Sequence, residues 1–490
     1  MVGRRQFLLV FVVLITFALA YFWSLNNVEK SSVPKVQLSE NLPGGEGTVS
    51  IVPFPSFEKP SANLAKAELP HFHAGKALAH QPWVKAPTVT FDRDGLGPIF
   101  NARTCLMCHV NGGRSVLPNN EEELINTAFL RLSIPGEDII HGVIAEPMYG
   151  DQLQSQSTSL AHLFRHLNIP GLTHSVPPEG YLQIKWIPVP FTYPDGTQLV
   201  LRKPNIVLTN LGYGEMHPDT MMGIRNAPPL HGVGLLETIP QAQIAALVDE
   251  FDADQNGISG RQNKVWDFEA EKTVPGRFGL KANKASVRLQ TAGAFHGDMG
   301  ISNPVFPKQP CTDKQVQCLN EIDGNDKAGT EIPENQFTMV VNFVKSLGVP
   351  VRRNPQDKQV LAGRTLFHQT GCAECHHPSY VTGKDKDFPH LSNQTIWPYT
   401  DLLIHDMGEG LADGRPDYLA SGSEWRTAPL WGVGLSGQVN GGANFLHDGR
   451  AKTIEEAILW HGGEAEKTKQ QFTQLSKEDR QKLIKFVESL

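Results

Sequence analysis

Two short stretches, "CLMCH" at residues 105–109 and "CAECH" at residues 372–376, constrain this chain more than any other feature. Each sets two thiols three residues apart and closes with a histidine. A Cys-x-x-Cys pair can be a redox dithiol, half of a zinc site or a tether for haem. A thioredoxin-type dithiol needs an exposed first cysteine with a lowered pKa at a helix start. Nothing in that chemistry requires the adjacent histidine. Zinc needs four ligands, and pooling two pairs 267 residues apart lies far outside the usual spacing. Haem uses every residue: two thioethers hold the porphyrin vinyl groups and the histidine turns onto the iron. The motifs predict two covalently bound haem c groups, one on Cys105, Cys108 and His109 and one on Cys372, Cys375 and His376.

Three landmarks recur in one order. The first copy runs "CLMCH", "RNAPPLHGVGL" from Arg225 and "VVNFVKSLG" with Phe343; the second runs "CAECH", "RTAPLWGVGL" from Arg426 and "KLIKFVESL" with Phe486. From haem histidine to final phenylalanine is 234 residues in the first copy (109 to 343) and 110 in the second (376 to 486). The second is the size of a small cytochrome domain, and the first is the same module with about 124 inserted residues. In "LSKEDRQKLIKFVESL", Leu483, Phe486, Val487 and Leu490 fall on one helical face, with Ser476 placed as N-cap. The expected fold is all-α: two cytochrome c-like domains, 86–350 and 351–490, the first enlarged by long loop insertions. Residues 24–85 are polar and aperiodic and read as a linker or irregular extension.

The chain of 490 residues carries a net charge of −7, too mild and of the wrong sign for a nucleic-acid partner. Residues 1–23 place Arg4 and Arg5 before an apolar run and a small-x-small site ending at Ala20, the order of an export signal. The run reaches 17 residues, the lower limit for an uncleaved inner-membrane anchor, which stands as the second reading. Either way the bulk of the protein is expected in the periplasm. There Cys311 and Cys318, close together in "PCTDKQVQCLN", are expected to pair; free thiols are the alternative.

"FDRDGLGPIFNARTCLMCH", "LGYGEMHPDTM", "GISGRQNKVWD", "LLIHDMGEGLADG", "RTAPLWGVGL" and "NFLHDGRAKTIEEAILWHGGEAE" resemble the bacterial di-haem oxidoreductase family, whose members are described as peroxidases and sometimes as thiol oxidoreductases. The resemblance runs from about residue 86 to the end. The family is distantly related to the di-haem cytochrome c peroxidases and to the di-haem enzyme that matures methylamine dehydrogenase. It implies hydrogen peroxide as substrate at the N-terminal haem. It also implies a small electron-donor protein, a cytochrome or cupredoxin, serving the C-terminal haem. In such relatives a His-Asp-Gly turn leads into a helix whose end carries the sixth iron ligand. Here His447 stands at the turn and His461 at the ligand position, opposite His376. A solvent-facing histidine favourable to the helix dipole is the other reading of His461. Two histidines on one iron imply a lower potential than His/Met ligation.

The first copy leaves its distal ligand open. A peroxidatic haem needs an accessible iron face and a nearby proton-transfer group. His217 lies just before the Arg-Asn-Ala-Pro landmark, near where the peroxidases keep a removable distal histidine. His296, in "AFHGDMG", matches His461 if the repeat frame slips by two residues, and Asp298 beside it is a candidate proton shuttle. For His217 and His296 a satisfied structural histidine is an equal alternative. His231 aligns with Trp431 and reads as packing. His162 and His166 have metal-compatible i, i+4 spacing but no third ligand nearby, and read as a solvated helix face. In "DEFDADQNGISGRQN", Asp252, Asp254 and Asn256 alternate as in a calcium loop, although Asn263 stands where an EF-hand has glutamate. A hydrogen-bonded Asp/Asn turn fits them equally.

Overall fold

The computed structural model describes residues 33–89, 93–118, 120–158, 176–322, 324–325 and 329–490. Its principal helices are α1 (Leu69–His80), α2 (Val287–Met299), α3 (Glu334–Lys345), α4 (Lys358–Gln369), α5 (Ile454–Trp460) and α6 (Lys477–Ser489). Its principal strands are β1 (Ala128–Ser133), β2 (Tyr181–Thr192), β3 (Gln198–Thr209), β4 (Met221–Asn226), β5 (Ile404–Asp406) and β6 (Glu424–Arg426).

Each module is organised by one helix crossing. α1 packs on α3 at Gly75, where an added Cβ would collide with the Met339 carbonyl; α4 packs on α6 at Gly363, where it would collide with the Lys482 carbonyl. Only glycine admits that approach of backbone to backbone. The following residues match as well: "AGKALAH" ends α1 and "AGRTLFH" runs along α4. Phe343 and Phe486, the final landmarks of the two copies, are both fully buried beside these glycines. Ser476 caps α6 as its pattern predicts, its hydroxyl accepting from the Asp479 amide at 3.2 Å, and the stripe Leu483, Phe486 and Val487 is buried.

The first module therefore begins at α1, not at residue 86. The segment read as a linker contributes this helix and, before it, an anchored strap. Glu40 is buried between Arg352 (2.9 Å) and Arg364 (2.7 Å), and Val49 bridges Pro350 in parallel. The helix escaped notice because its buried side is only Phe72, Gly75 and Ala79, a stripe too small to stand out.

The all-α expectation is overturned: the fold is mixed, with 29% helix and 18% strand. The strands come largely from the insertion in the first module. "YLQIKWIPVPFT" and "QLVLRKPNIVLT" alternate with period two and are rich in β-branched and aromatic residues; "YPDGT" turns between them. They pair antiparallel as β2 and β3 from Tyr181–Thr209 to Thr192–Gln198. β1 pairs with β4 and β5 with β6, so among the described residues every sheet is a two-stranded ribbon.

A lone hairpin is marginally stable in water, and this one is held by the other module. Tyr193 and Leu201 are buried in the core that contains Phe486. Tyr193 Oη donates to Glu455 (2.7 Å), Asp195 pairs with Arg480 (2.7 Å), and Arg202 Nε donates to the Arg450 carbonyl (2.8 Å). The two modules are thus interlocked at two places: by the hairpin, and by Glu40. Replacing Glu40 with Gln leaves two buried guanidinium groups short of their counter-charge. The change should cost about 3–5 kcal/mol of unfolding free energy, read as a lower urea midpoint; a loss below about 1 kcal/mol would show that water reaches the pair.

Candidate functional site

Both Cys-x-x-Cys-His motifs form a single 3₁₀ turn, Cys105–Met107 and Cys372–Glu374, and in each the histidine amide bonds back to the first cysteine carbonyl (3.0 and 2.9 Å). All four thiols are unpaired, whereas Cys311 and Cys318 are joined as a disulfide with Cα atoms 5.8 Å apart. Burial pushes the thiols of Cys105 and Cys372 up to about 12 and about 11, and raises Cys108 and Cys375 too. A redox dithiol needs the opposite shift.

The two motifs open onto one continuous cavity of about 440 Å³ at the junction of the modules. The repeated landmarks meet there. An added Cβ at Gly232 (φ 75°) would collide with the Trp431 ring, and one at Gly432 (φ 71°) would crowd the His231 ring. His231 Nε2 donates to the Trp431 carbonyl at 3.0 Å and its ring lies 4.1 Å from Phe57, so it packs the junction.

At the second motif two imidazoles are prepared in the same way. His376 Nδ1 donates to the Tyr399 carbonyl (3.0 Å), and His461 Nδ1, at the C-terminal cap of α5, donates to the Ala457 carbonyl (2.7 Å). Both tautomers leave Nε2 free as a ligand atom, and both rings line the cavity. Burial lowers both pKa values, His376 to about 4, and His461 is close enough to add to the shift at His376. His447 serves differently: its ring stacks on Trp425 at 3.6 Å and 8°, and burial lowers its pKa to about 3.

Sequence reasoning missed the group that joins these two ligand segments. His405 is buried between Asp401 (Nε2 to Oδ2, 2.7 Å) and Glu464 (Nδ1 to Oε2, 2.7 Å), with the Cys375 sulfur 3.8 Å away. Burial opposes the charge, but the two carboxylates outweigh it and raise the pKa well above the ordinary value, so the ring is an imidazolium. Asp401 donates its amide to the Cys375 carbonyl, and Glu464 lies three residues after His461. Glu464 also accepts from the Ser259 amide (2.9 Å), which ties in the first module. "LLIHD" carries no local signal for this, because the partners are remote in sequence.

At the first motif, burial lowers the His109 pKa while the backbone at Pro228 and Gly113 works against it. The Nδ1 of His109 makes no hydrogen bond of ordinary geometry among the described residues. α2 forms one wall of the cavity. Val287, Gln290, Thr291, Ala294 and Asp298 line the cavity at helical spacing. Ser286 caps α2 and Thr453 caps α5 in the same manner, and eight residues on from each cap stand Ala294 and His461. The slip that aligned His296 with His461 is therefore not present. His296 is not in the cavity wall; its ring packs on Phe306 and burial pushes its pKa down to about 4. His217 is not there either. It sits on a loop with its side chain 39% exposed, its amide donating to Glu146 (2.8 Å).

Asp298 does face the site. Its Oδ1 accepts from Gln152 (2.9 Å), no group among the described residues donates to its Oδ2, and its charge is felt by both Cys105 and Cys108. Burial raises the carboxyl to about 6, against a lowering by Arg131.

The wall also holds cations without counter-charges. Arg114 lies over the Phe445 ring (5.6 Å) with its Nε unpaired, and Arg426 donates only to the Gly279 and Thr427 carbonyls. Burial pushes both down to about 10. Two guanidinium groups that lack a carboxylate partner, one of them held by carbonyls, fit a ligand that carries carboxylates, as a porphyrin does. The residues present thus fit haem at both motifs.

In the acidic loop the ligand atoms that converge, within 4.8 Å, are those of Asp249, Asp252 and Asp254. Asn256 instead bonds within the loop, to Asp254 and to the Ile258 amide, and Asn263 is buried and holds the Lys281 and Asp417 carbonyls. His162, His166 and the apolar run at residues 7–23 lie outside the described residues, and no helix within them is long and apolar enough to cross a membrane.

Among solved structures the chain is similar to hydrazine synthase from Kuenenia stuttgartiensis, with 14% identity over 55% of this chain and 73% of that one. The TM-score of 0.27 is too low to bear on fold or activity. No curated protein matches. The family described as "Di-haem oxidoreductase, putative peroxidase" matches residues 41–490, and that span takes in both motifs, both helix crossings and the whole cavity. The chain belongs to this family of di-haem oxidoreductases.

Proposed function

We propose that the protein is an exported, periplasmic enzyme that reduces hydrogen peroxide at the first centre, with electrons relayed through the second from a small donor protein. One observation carries this reading: equivalent positions on two equivalently capped helices hold Ala294 at the first centre and His461 at the second. The second centre has an imidazole for each face of a metal, and the first has one for a single face.

In this reading Cys105 and Cys108, and Cys372 and Cys375, hold the two porphyrins through thioethers. His109 and His376 are the proximal ligands, and Arg114 and Arg426 supply charge to porphyrin carboxylates. The haem iron, when bound, supplies the electron chemistry that no side chain can. The chain supplies position and a proton route. Ala294 and Thr291 leave room beside the open face, and α2 excludes bulk water behind it. Gln152 fixes Oδ1 of Asp298, and Oδ2 takes a proton from bound peroxide and returns it to the departing oxygen. His231 and Trp431 fill the junction that electrons cross. The imidazolium of His405 holds the segments carrying His376 and His461 in register.

His461→Ala should turn one of the two centres from low spin to high spin in the oxidised protein, with added imidazole restoring the low-spin spectrum. If both centres of the wild type are low spin in every redox state, with no peroxide turnover, the protein is an electron-transfer cytochrome instead. Asp298 must be deprotonated to act as base, so kcat/KM for peroxide should rise with pH through about 6. Asp298→Asn should lower kcat/KM by about 10²–10⁴ and flatten that limb; a variant that keeps the wild-type profile removes Asp298 from the mechanism.

A further inference from the structure

We propose that the first centre contains an anion-binding subsite, formed by the ammonium group of Lys284 beside the Ala294 wall of α2, that takes a small carboxylate or oxyanion substrate. This deepens the reading of the first centre as the open one.

The argument rests on which buried cations are already answered. Arg131 pairs with Asp151 (2.5 Å), Arg225 with Asp413 (2.6 Å) and Arg415 with Asp417 (3.5 Å). Lys281 donates to the carbonyls of Ser421 (2.6 Å) and Glu424 (2.8 Å). Lys284, among the described residues, has no hydrogen bond or ion pair from its ammonium group, although it lines the cavity and is only partly exposed. A Cβ at Gly293 would stand 3.5 Å from Lys284 Cε, so the side chain runs along α2 next to Ala294. Burial lowers the pKa of Lys284, with Arg131 adding repulsion, while Asp417 and Asp151 act against them from beyond pairing distance. An unanswered ammonium in such a place is unfavourable unless a ligand completes it. Hydrogen peroxide, being neutral, does not need that charge. An anion does. A porphyrin carboxylate has the same chemistry as a free anion, so the two sources must be separated by experiment.

Formate is titrated calorimetrically into the full-length, haem-loaded, oxidised protein at fixed ionic strength. Wild type should bind one formate, Lys284→Gln should weaken it by at least about tenfold, and Lys284→Arg should retain it. Lys284→Met replaces the glutamine variant should that not fold. In parallel, azide and imidazole are followed by the Soret shift. The glutamine variant should weaken the anion azide by about tenfold and leave neutral imidazole within about twofold. Absence of formate binding in wild type, or equal affinity in wild type and variant, overturns the subsite. So does equal weakening of azide and imidazole together with a shifted haem potential, which would assign Lys284 to a porphyrin carboxylate. If formate binds through Lys284 but neither azide nor imidazole moves the Soret band, the subsite stands and the open-face reading falls.

Discussion

Two helix pairs that touch backbone to backbone, at Gly75 and at Gly363, set the frame on which everything else hangs. The contact brings α1 to α3 and α4 to α6 closely enough to bury Phe343 and Phe486 completely. In the second module the haem-type motif starts immediately after α4, so the crossing fixes where Cys372 and His376 stand. A methyl group at either glycine would have to push two carbonyl-bearing backbones apart, and close-packed cores absorb such displacements poorly. The junction between modules repeats the device, with Gly232 under Trp431 and Gly432 under His231. A cavity shared by two modules can keep one shape only if both walls and their contact are fixed in this way.

Much of this was legible in the sequence, and the parts that were not have physical reasons. The attachment motifs, the ordered landmarks and the capped stripe of α6 are local signals, and local signals survive reading one residue at a time. α1 was hidden because it buries a glycine and an alanine where most helices bury leucines. The hairpin β2–β3 was legible by alternation, but a cytochrome-sized repeat directs attention to loops between helices, and the strands were passed over. At the first centre, "AFHGDMG" resembles "LWHGGE" only with a two-residue slip. Counting from the helix caps, Ser286 and Thr453, removes it and puts Ala294 where His461 would be. His405 between Asp401 and Glu464 could not be found this way, since its partners converge only in the folded chain.

The cavity sorts its ionisable groups by what surrounds them. Burial is the largest influence on His376, His447 and Asp298, and in each it prevails in favour of the neutral form: the histidines go down and the carboxyl goes up. Neutral imidazole is what a metal ligand requires, and a carboxyl near 6 is what a proton shuttle requires. His405 goes the other way because two carboxylates at 2.7 Å outweigh its desolvation. That makes it a charged strut between the two carboxylates. One rule with two kinds of neighbour separates ligands from struts within a single cavity.

The asymmetry between the centres then follows from a difference of one side chain on a shared plan. Both modules bring a capped helix to the wall of the shared cavity. In the second, α5 ends at His461, whose Nδ1 is held by its own helix and whose segment is held by Glu464. In the first, α2 continues past Ala294 to Asp298 before Gly300 closes it, so the same face presents a methyl group and then a carboxyl. The longer helix carries alanine, and then aspartate one turn on, where the shorter one stops at histidine. Duplication supplies two like frames, and the length of one helix makes them unequal, one wall ending on an imidazole and the other running on to a carboxyl.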